Sequence, residues 1–275
     1  MSDAIDRAHL KDSHGFSPPV HRFDVSDAVV GIVRRHWIPV WDLPHGQVST
    51  QRVLRYPVCL VTVAPDSALF IGPAPGLSTK ELRGCGWTVG LMLEPAAGAL
   101  LLGGPVSQAV DRSIPVGDVM GLDASVVPRI REVMDDDPGD PRAQQQARAL
   151  IESAVISVSL DDEGSIVNEI VQAMENDTSL TRVSEVAKRF HLGERSLQRL
   201  FARRVGLSPK WVIQRRRIWD AVAALHSTGT GNLAEVAADL GYTDQAHFSR
   251  EFTAVLGMTP AQFARDARRV AGSGF

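Results

Sequence analysis

Apolar residues recur at helical spacing twice near the C-terminus. Leu197, Leu200, Phe201 and Val205 fall at i, i+3, i+4 and i+8, and Phe248, Phe252 and Leu256 form a second such stripe further on. Each stripe predicts an amphipathic helix with one buried face. The opposite face of the first helix carries Arg195, Gln198, Arg199, Ala202 and Arg203; that of the second, Gln245 to Leu256, offers Gln245, His247, Ser249 and Arg250. Between them Val212 to His226 reads as one long helix, begun by Pro209 near its first turn, where proline is tolerated. Its apolar contacts come from Ile213, Ile218, Ala221, Val222 and Leu225, and it carries the basic run Arg215, Arg216 and Arg217. Upstream, Ile166 to Glu175 predicts a further helix that buries Val167, Ile170, Val171 and Met174.

The pattern changes towards the N-terminus. Arg52 to Ile71 alternates as two strands around a Pro-Asp turn, Gly86 to Glu94 reads as another strand, and Ala96 to Leu102 reads as a short helix stopped at Gly103-Gly104. From Ala124 to Ser159 the spacing is helical again. Val127, Ile130, Val133 and Met134 mark one face; the acidic stretch Asp135 to Pro141 breaks it; Ala147, Leu150, Ile151, Ala154 and Val155 mark a second helix, Arg142 to about Val158. These two helices either pair across a dimer or pack back on the strands. Asp161-Asp162-Glu163-Gly164 is the expected flexible boundary before the C-terminal module.

The two C-terminal stripes belong to a repeat. Glu-Val-Ala occurs at Glu185 and Glu235, fifty positions apart, whereas Leu197, Phe201, Gly206 and Pro209 match Phe248, Phe252, Gly257 and Pro260 at fifty-one. The turn of the second copy is therefore one residue longer. A fixed period implies duplicated architecture, here two copies of a helix-turn-helix. In the second copy Asn232 and Glu235 form a capping pair, Gly241 ends the first helix, and Thr243-Asp244 makes the turn. Arg250 occupies the repeat position of Arg199.

Charge sharpens this reading. From Thr178 onward there are fifteen Lys+Arg and eight Asp+Glu, a net of +7; the whole chain is −3, so residues 1–177 carry −10. A basic module attached to an acidic one is the electrostatic footprint of a DNA-binding domain joined to something else. Arginine pairs bidentately with guanine and glutamine with adenine in the major groove. Arg195, Gln198, Arg199, Gln245, His247, Ser249 and Arg250 are thus the candidate base-reading residues. Arg203, Lys210, Arg215, Arg216 and Arg217 are the candidate phosphate contacts, which position a protein without specifying sequence.

Ser196 to Phe201, Gly206-Leu207-Ser208-Pro209, Arg217 to Ala221, Gly241 to Phe252 and Gly257-Met258-Thr259-Pro260 together resemble the AraC/XylS family of transcriptional regulators. The resemblance covers about the last hundred residues. It implies a seven-helix module in which a linker helix holds two recognition helices in successive major grooves. One departure is Gly193, where the family often has a capping serine. Further upstream, Leu82 to Trp87, Gly90, Glu94-Pro95, Ala99 to Gly103, Asp111-Arg112 and Pro115 resemble the cupin-like N-terminal domain of some actinobacterial members, with Glu94 the clearest departure. Such domains bind an effector, mediate dimerisation, or both.

The expected fold is α+β: a β-rich cupin-like domain at 1–122, a helical linker at 123–160, and an all-α double helix-turn-helix domain at 165–275 that is self-contained. Enzymatic chemistry finds little footing. His14, His21, His36 and His45 lack the convergent spacing a metal requires, so no metal or cofactor is expected. Cys59 reads as packing within a strand, and Cys85, between glycines, as an inert thiol or a redox sensor. Trp37, Trp41 and Trp87 fill a core or line a pocket. No stretch reaches the roughly twenty apolar residues of a membrane span. The chain is expected to be a bacterial cytoplasmic transcription factor, not an enzyme. Its partner is double-stranded DNA, and RNA polymerase, a small-molecule effector and a second copy of the chain are candidate partners. The alternative from another class is an enzyme fused to a DNA-targeting module.

Overall fold

The computed structural model describes residues 9–10, 18–228 and 233–272. Its N-terminal part is built from β1 (His9–Leu10), β2 (Val20–Phe23), β3 (Val33–Asp42), β4 (Val48–Leu54), β5 (Leu60–Val63), β6 (Ala68–Ile71), β7 (Leu77–Arg83), β8 (Cys85–Trp87), β9 (Val89–Leu93) and β10 (Ser113–Pro115), with a short helix α1 (Ala97–Leu102) before the last strand. All pairings among these strands are antiparallel. One sheet runs β10-β6-β5-β9-β3-β2, with β8 also on β3; the other runs β1-β4-β7.

The expected Pro-Asp turn joins β5 to β6, closed by Ala64 N–H donating to the Ser67 carbonyl at 2.8 Å. The single strand expected at Gly86 to Glu94 is instead two, β8 and β9, both paired with β3. Glycines within them accept tryptophans from the neighbouring strand. Gly90 faces Trp37 and Gly86 faces Trp41 in register, and a Cβ at either glycine would come within 2.4 Å of the indole. The tryptophans therefore cover strand backbone. Gly103, at φ 63°, ends α1 as read from the sequence.

The helices α2 (Val126–Asp135) and α3 (Pro141–Ser153) pack back on the larger sheet. Ile130, Met134, Ala147 and Ile151 join Val61, Phe70, Leu91 and Leu93 in one core. The C-terminal part comprises α4 (Asp162–Asn176), α5 (Val183–Arg189), α6 (Glu194–Arg204), α7 (Pro209–Thr228), α8 (Leu233–Asp239), α9 (Gln245–Leu256) and α10 (Pro260–Gly272).

The acidic boundary segment forms the start of a helix. Asp161 caps α4 by accepting from Gly164 N–H at 2.8 Å, so the helix starts at Asp162, four residues ahead of the expected Ile166. Arg204 bridges Asp161 and Glu163, and Arg203 pairs with Glu163. Those arginines, forty residues away in sequence, are what fix it.

The two halves share apolar clusters. Leu54, Tyr56 and Val58 sit in one cluster with Ile218, Trp219, Val222, Phe248 and Phe252, and the Tyr56 and Trp219 rings lie 4.2 Å apart. A close aromatic pair adds about 0.5–1.5 kcal/mol beyond the area it buries. Helix α4 is pinned to the strands by Asn168, whose amide donates to the Gly31 carbonyl and accepts from Ala96 N–H, both at 3.0 Å. Arg34 of β3 reaches the same helix, donating to both carboxylate oxygens of Glu175 at 3.0 and 3.2 Å and to Glu94 at 3.2 Å.

Candidate nucleic-acid interface

Helices α5 and α6 form one helix-turn-helix, and α8 and α9 the other. In the first, Leu197, Leu200, Phe201 and Val205 are buried as their spacing predicts; in the second, Phe248, Phe252 and Leu256 are. The turns are built alike. His191 has φ 53° and Gly241, fifty positions on, has φ 71°, each a left-handed residue closing the preceding helix. The extra residue of the second turn ends at Asp244, whose carboxylate accepts from His247 N–H at 2.7 Å and caps α9. That bond holds the Asp244 carboxyl below its usual range. Gly193, at the same place before α6, makes no side-chain cap. The Asn232 capping expectation lies outside the described residues.

The faces expected to read bases are open. Arg195, Gln198 and Arg199 on α6 are exposed, as are Gln245 and Arg250 on α9; His247 and Ser249 are half-buried. His247 Nδ1 lies 3.1 Å from the Thr243 hydroxyl, so its ring is steadied from within the turn. Arg203 and Lys210 are exposed, and Arg203 is also paired with Glu163.

The basic run of α7 is placed differently from the expectation of phosphate contact. Arg215 and Arg216 are buried, at 2% and 3% exposure. Arg215 donates to the Pro75 carbonyl at 2.6 Å and stacks on Trp211, whose indole N–H donates to the same carbonyl at 3.2 Å. Burial, with Arg55 nearby, lowers the Arg215 pKa to about 10, so it stays charged at neutral pH. Arg216 donates to the Asp177 carbonyl, and Arg217 lies with its guanidinium 3.6 Å from the Tyr242 ring centroid. A 3.6-residue period spreads three consecutive residues around the helix. Each of these arginines meets a different neighbour: the strand domain, the α4–α5 loop and the second helix-turn-helix.

Those contacts also show what sequence reasoning missed. Tyr242 donates to Glu251 at 2.8 Å, and the Gln214 amide donates to the other oxygen of that carboxylate at 3.2 Å. Burial, then the Glu251 carboxylate, pushes the Tyr242 hydroxyl pKa up. This network ties α7 to α9 and so fixes the second recognition helix relative to the linker. Its one sequence signal is a tyrosine at the helix stop, where the first copy has leucine.

Two cysteines are free among the described residues. Cys59 is buried, which pushes its thiol pKa up. Cys85 is exposed, but its hydrogen bond to Asp42 at 2.9 Å raises its pKa too, opposite to what a reactive thiol needs. No group of three or more His, Cys, Asp or Glu suited to a metal occurs among the described residues. No helix among them is long and apolar enough to cross a membrane.

Two helix-turn-helix units on one connecting helix, with both recognition faces exposed, define a double helix-turn-helix module. Comparison with known proteins agrees. Residues 186–266 match a family model described as a helix-turn-helix domain, and residues 21–115 match a domain of unknown function, DUF6597. The chain is 33% identical over 89 residues to the uncharacterized HTH-type transcriptional regulator YfiF of Bacillus subtilis, a stretch covering 32% of this chain and 28% of that protein. It is 26% identical over 106 residues to the XylDLEGF operon transcriptional activator of Pseudomonas putida, covering 38% of this chain and 32% of that one. Against the transcriptional activator AarP of Providencia stuartii it is 29% identical over 102 residues, 37% of this chain and 75% of that protein. The chain thus spans about a third or less of the first two relatives. Among solved structures it resembles ToxT from Vibrio cholerae, at 10% identity and a TM-score of 0.39, over 98% of this chain and 100% of that one. The C-terminal part of the chain is a helix-turn-helix domain of the AraC/XylS type, preceded by a β-rich domain.

Proposed function

We propose that this chain is a sequence-specific, DNA-binding transcriptional regulator of the bacterial cytoplasm, controlled through its N-terminal domain by an effector, by dimerisation, or by both. The observation that carries this reading is the pair of recognition helices, α6 and α9, whose polar faces stay open while their apolar faces are buried. Arg195, Gln198 and Arg199 read one element of the site; Gln245, His247, Ser249 and Arg250 read the other. Arg203 and Lys210 touch phosphates. The candidate partners besides DNA are RNA polymerase, a small effector and a second protomer.

The test is selection from a randomised duplex library. Two recognition helices in successive major grooves meet the duplex about 34 Å apart, so a protomer's site contains two short elements one helical turn apart. Arg199→Ala and Arg250→Ala should each cost about 1–3 kcal/mol and relax base preference only at their own element. Unchanged preference in both variants would overturn the assignment of base reading to α6 and α9.

A further inference from the structure

A cleft of about 470 Å³ opens beside β2, β3 and α3, lined by Arg22, Phe23, Asp24, Arg34, Arg35 and Arg148. Four arginines and one aspartate line its wall, with Arg34 already paired to Glu94 and Glu175. The volume falls in the range of small-molecule sites, about 300–1,000 Å³, but those are mostly apolar with few polar groups. Here the proportion is reversed, and Phe23 is the one apolar side chain. The walls therefore suit an occupant that is itself charged.

Arg148 supplies the α3 side of the cleft. Its guanidinium lies 3.9 Å from the centroid of the Phe23 ring, a cation–π arrangement. Its Nε is buried with no hydrogen-bond partner. A buried donor left unsatisfied is costly. The carboxylate one turn along α3 does not relieve it: Glu152 Oε1 faces the buried His36 ring at 2.7 Å and accepts from Ser26 N–H at 3.0 Å. Arg22 and Arg35 have other contacts as well, but an arginine carries five N–H donors, so engagement elsewhere does not prevent it from adding to the site.

Arg34 gives the cleft a second property. It lines the wall while holding Glu94 through Nε and both carboxylate oxygens of Glu175 on α4, the first helix of the DNA-binding part, through Nη1. An anion in the cleft would share the field of the guanidinium that anchors α4 to the strands.

We propose that the cleft formed by Arg22, Phe23, Arg35 and Arg148 binds a small anion through a carboxylate or phosphate group, and that Arg34 couples its occupancy to the DNA-binding part. The planar fork of Arg148 matches the two oxygens of either group. The coupling half rests on the reading of the chain as a regulator controlled through its N-terminal domain; the binding half does not.

The experiment is calorimetric titration of the full chain with citrate and with inorganic phosphate at constant ionic strength, alongside DNA affinity for a library-selected site with and without saturating probe. Saturable binding of at least one probe is expected, weakened at least tenfold in Arg148→Gln and only partly restored in Arg148→Lys, which keeps the charge but lacks the fork. Phe23→Leu, which keeps an apolar platform without the ring, should also weaken binding, and circular dichroism would show each variant folded. Neither probe binding, or equal binding in Arg148→Gln and wild type, would overturn the site. With binding established, probe should change DNA affinity at least threefold; an unchanged affinity would overturn the coupling through Arg34. A chain that binds citrate or phosphate as expected but selects no DNA would leave the anion site standing and overturn the regulator reading instead.

Discussion

The two helix-turn-helix copies follow one backbone plan but draw their stability from different places. The second is capped locally: Asp244 holds the start of α9, glycine takes the left-handed position in its turn, and Gly257, at φ 73°, closes the helix facing open space. In the first copy a histidine takes the left-handed turn position, which it adopts less freely than glycine, though more often than most other residues. No side chain caps α6, and Gly206, at φ 81°, lies against Val106, Val110 and Pro73 of the strand domain. Glu163, ahead in sequence, holds Arg203 and Arg204 near the end of that helix. The second copy also touches the strand domain, through Arg52 donating to the Leu256 carbonyl and through the apolar cluster that Phe248 and Phe252 share with Leu54, Tyr56 and Val58. Only the first is wedged there by a glycine. The copy with poorer local signals is the one whose closing glycine packs against the strand domain.

The largest test of this contrast is at the paired glycines. Gly257→Ala should cost about 1–2 kcal/mol, the strain of a left-handed alanine alone. Gly206→Ala carries the same strain and also drives a Cβ to 2.9 Å from Val106. It should cost about 1–3 kcal/mol more, the range for overpacking. Urea denaturation of the full chain measures both, and equal costs would break the contrast.

The caps come next. Asp244→Ala should destabilise by about 1 kcal/mol. Gly193→Ser should stabilise by only a few tenths of a kcal/mol, because glycine is already a tolerated N-cap. A large gain from Gly193→Ser would mean that α6 depends on its cap more than on the strand domain. The smallest effect belongs to the exposed end of the network. Glu163→Gln should change stability by about 0–1 kcal/mol, as surface ion pairs do. It should also free Arg203 for phosphate, steepening the salt dependence of DNA binding by about one counterion's slope, 0.9. An unchanged slope would remove Arg203 from the phosphate contacts.

The fold was legible where local signals agreed. The stripes at Leu197 to Val205 and Phe248 to Leu256 marked both recognition helices, and the fifty- and fifty-one-residue offsets marked the longer second turn; its left-handed glycine stands where the sequence put it, whereas Asp244, read only as part of the turn, also caps α9. The order of strands was only partly legible. Trp37 and Trp41 cover Gly90 and Gly86 across neighbouring strands, pairings between residues 45 and more positions apart that no local pattern encodes.

What the sequence determined by itself was periodicity, duplication and charge: which faces are apolar, that one unit occurs twice, and that the basic half is the C-terminal one. These are properties of neighbours along the chain, where side-chain spacing and helix geometry act without the rest of the molecule. Tertiary structure alone decided what became of the basic run. Arg215, Arg216 and Arg217 read as solvated cations for phosphate, yet each is held by a carbonyl or a ring brought from elsewhere. The acidic stretch at Asp161 read as a flexible boundary and became a helix cap paired with Arg204. In both cases a charge turned from solvent to structure because a partner distant in sequence met it in space; for Arg215 and Arg216, which are buried, such a partner is also what makes burial tolerable.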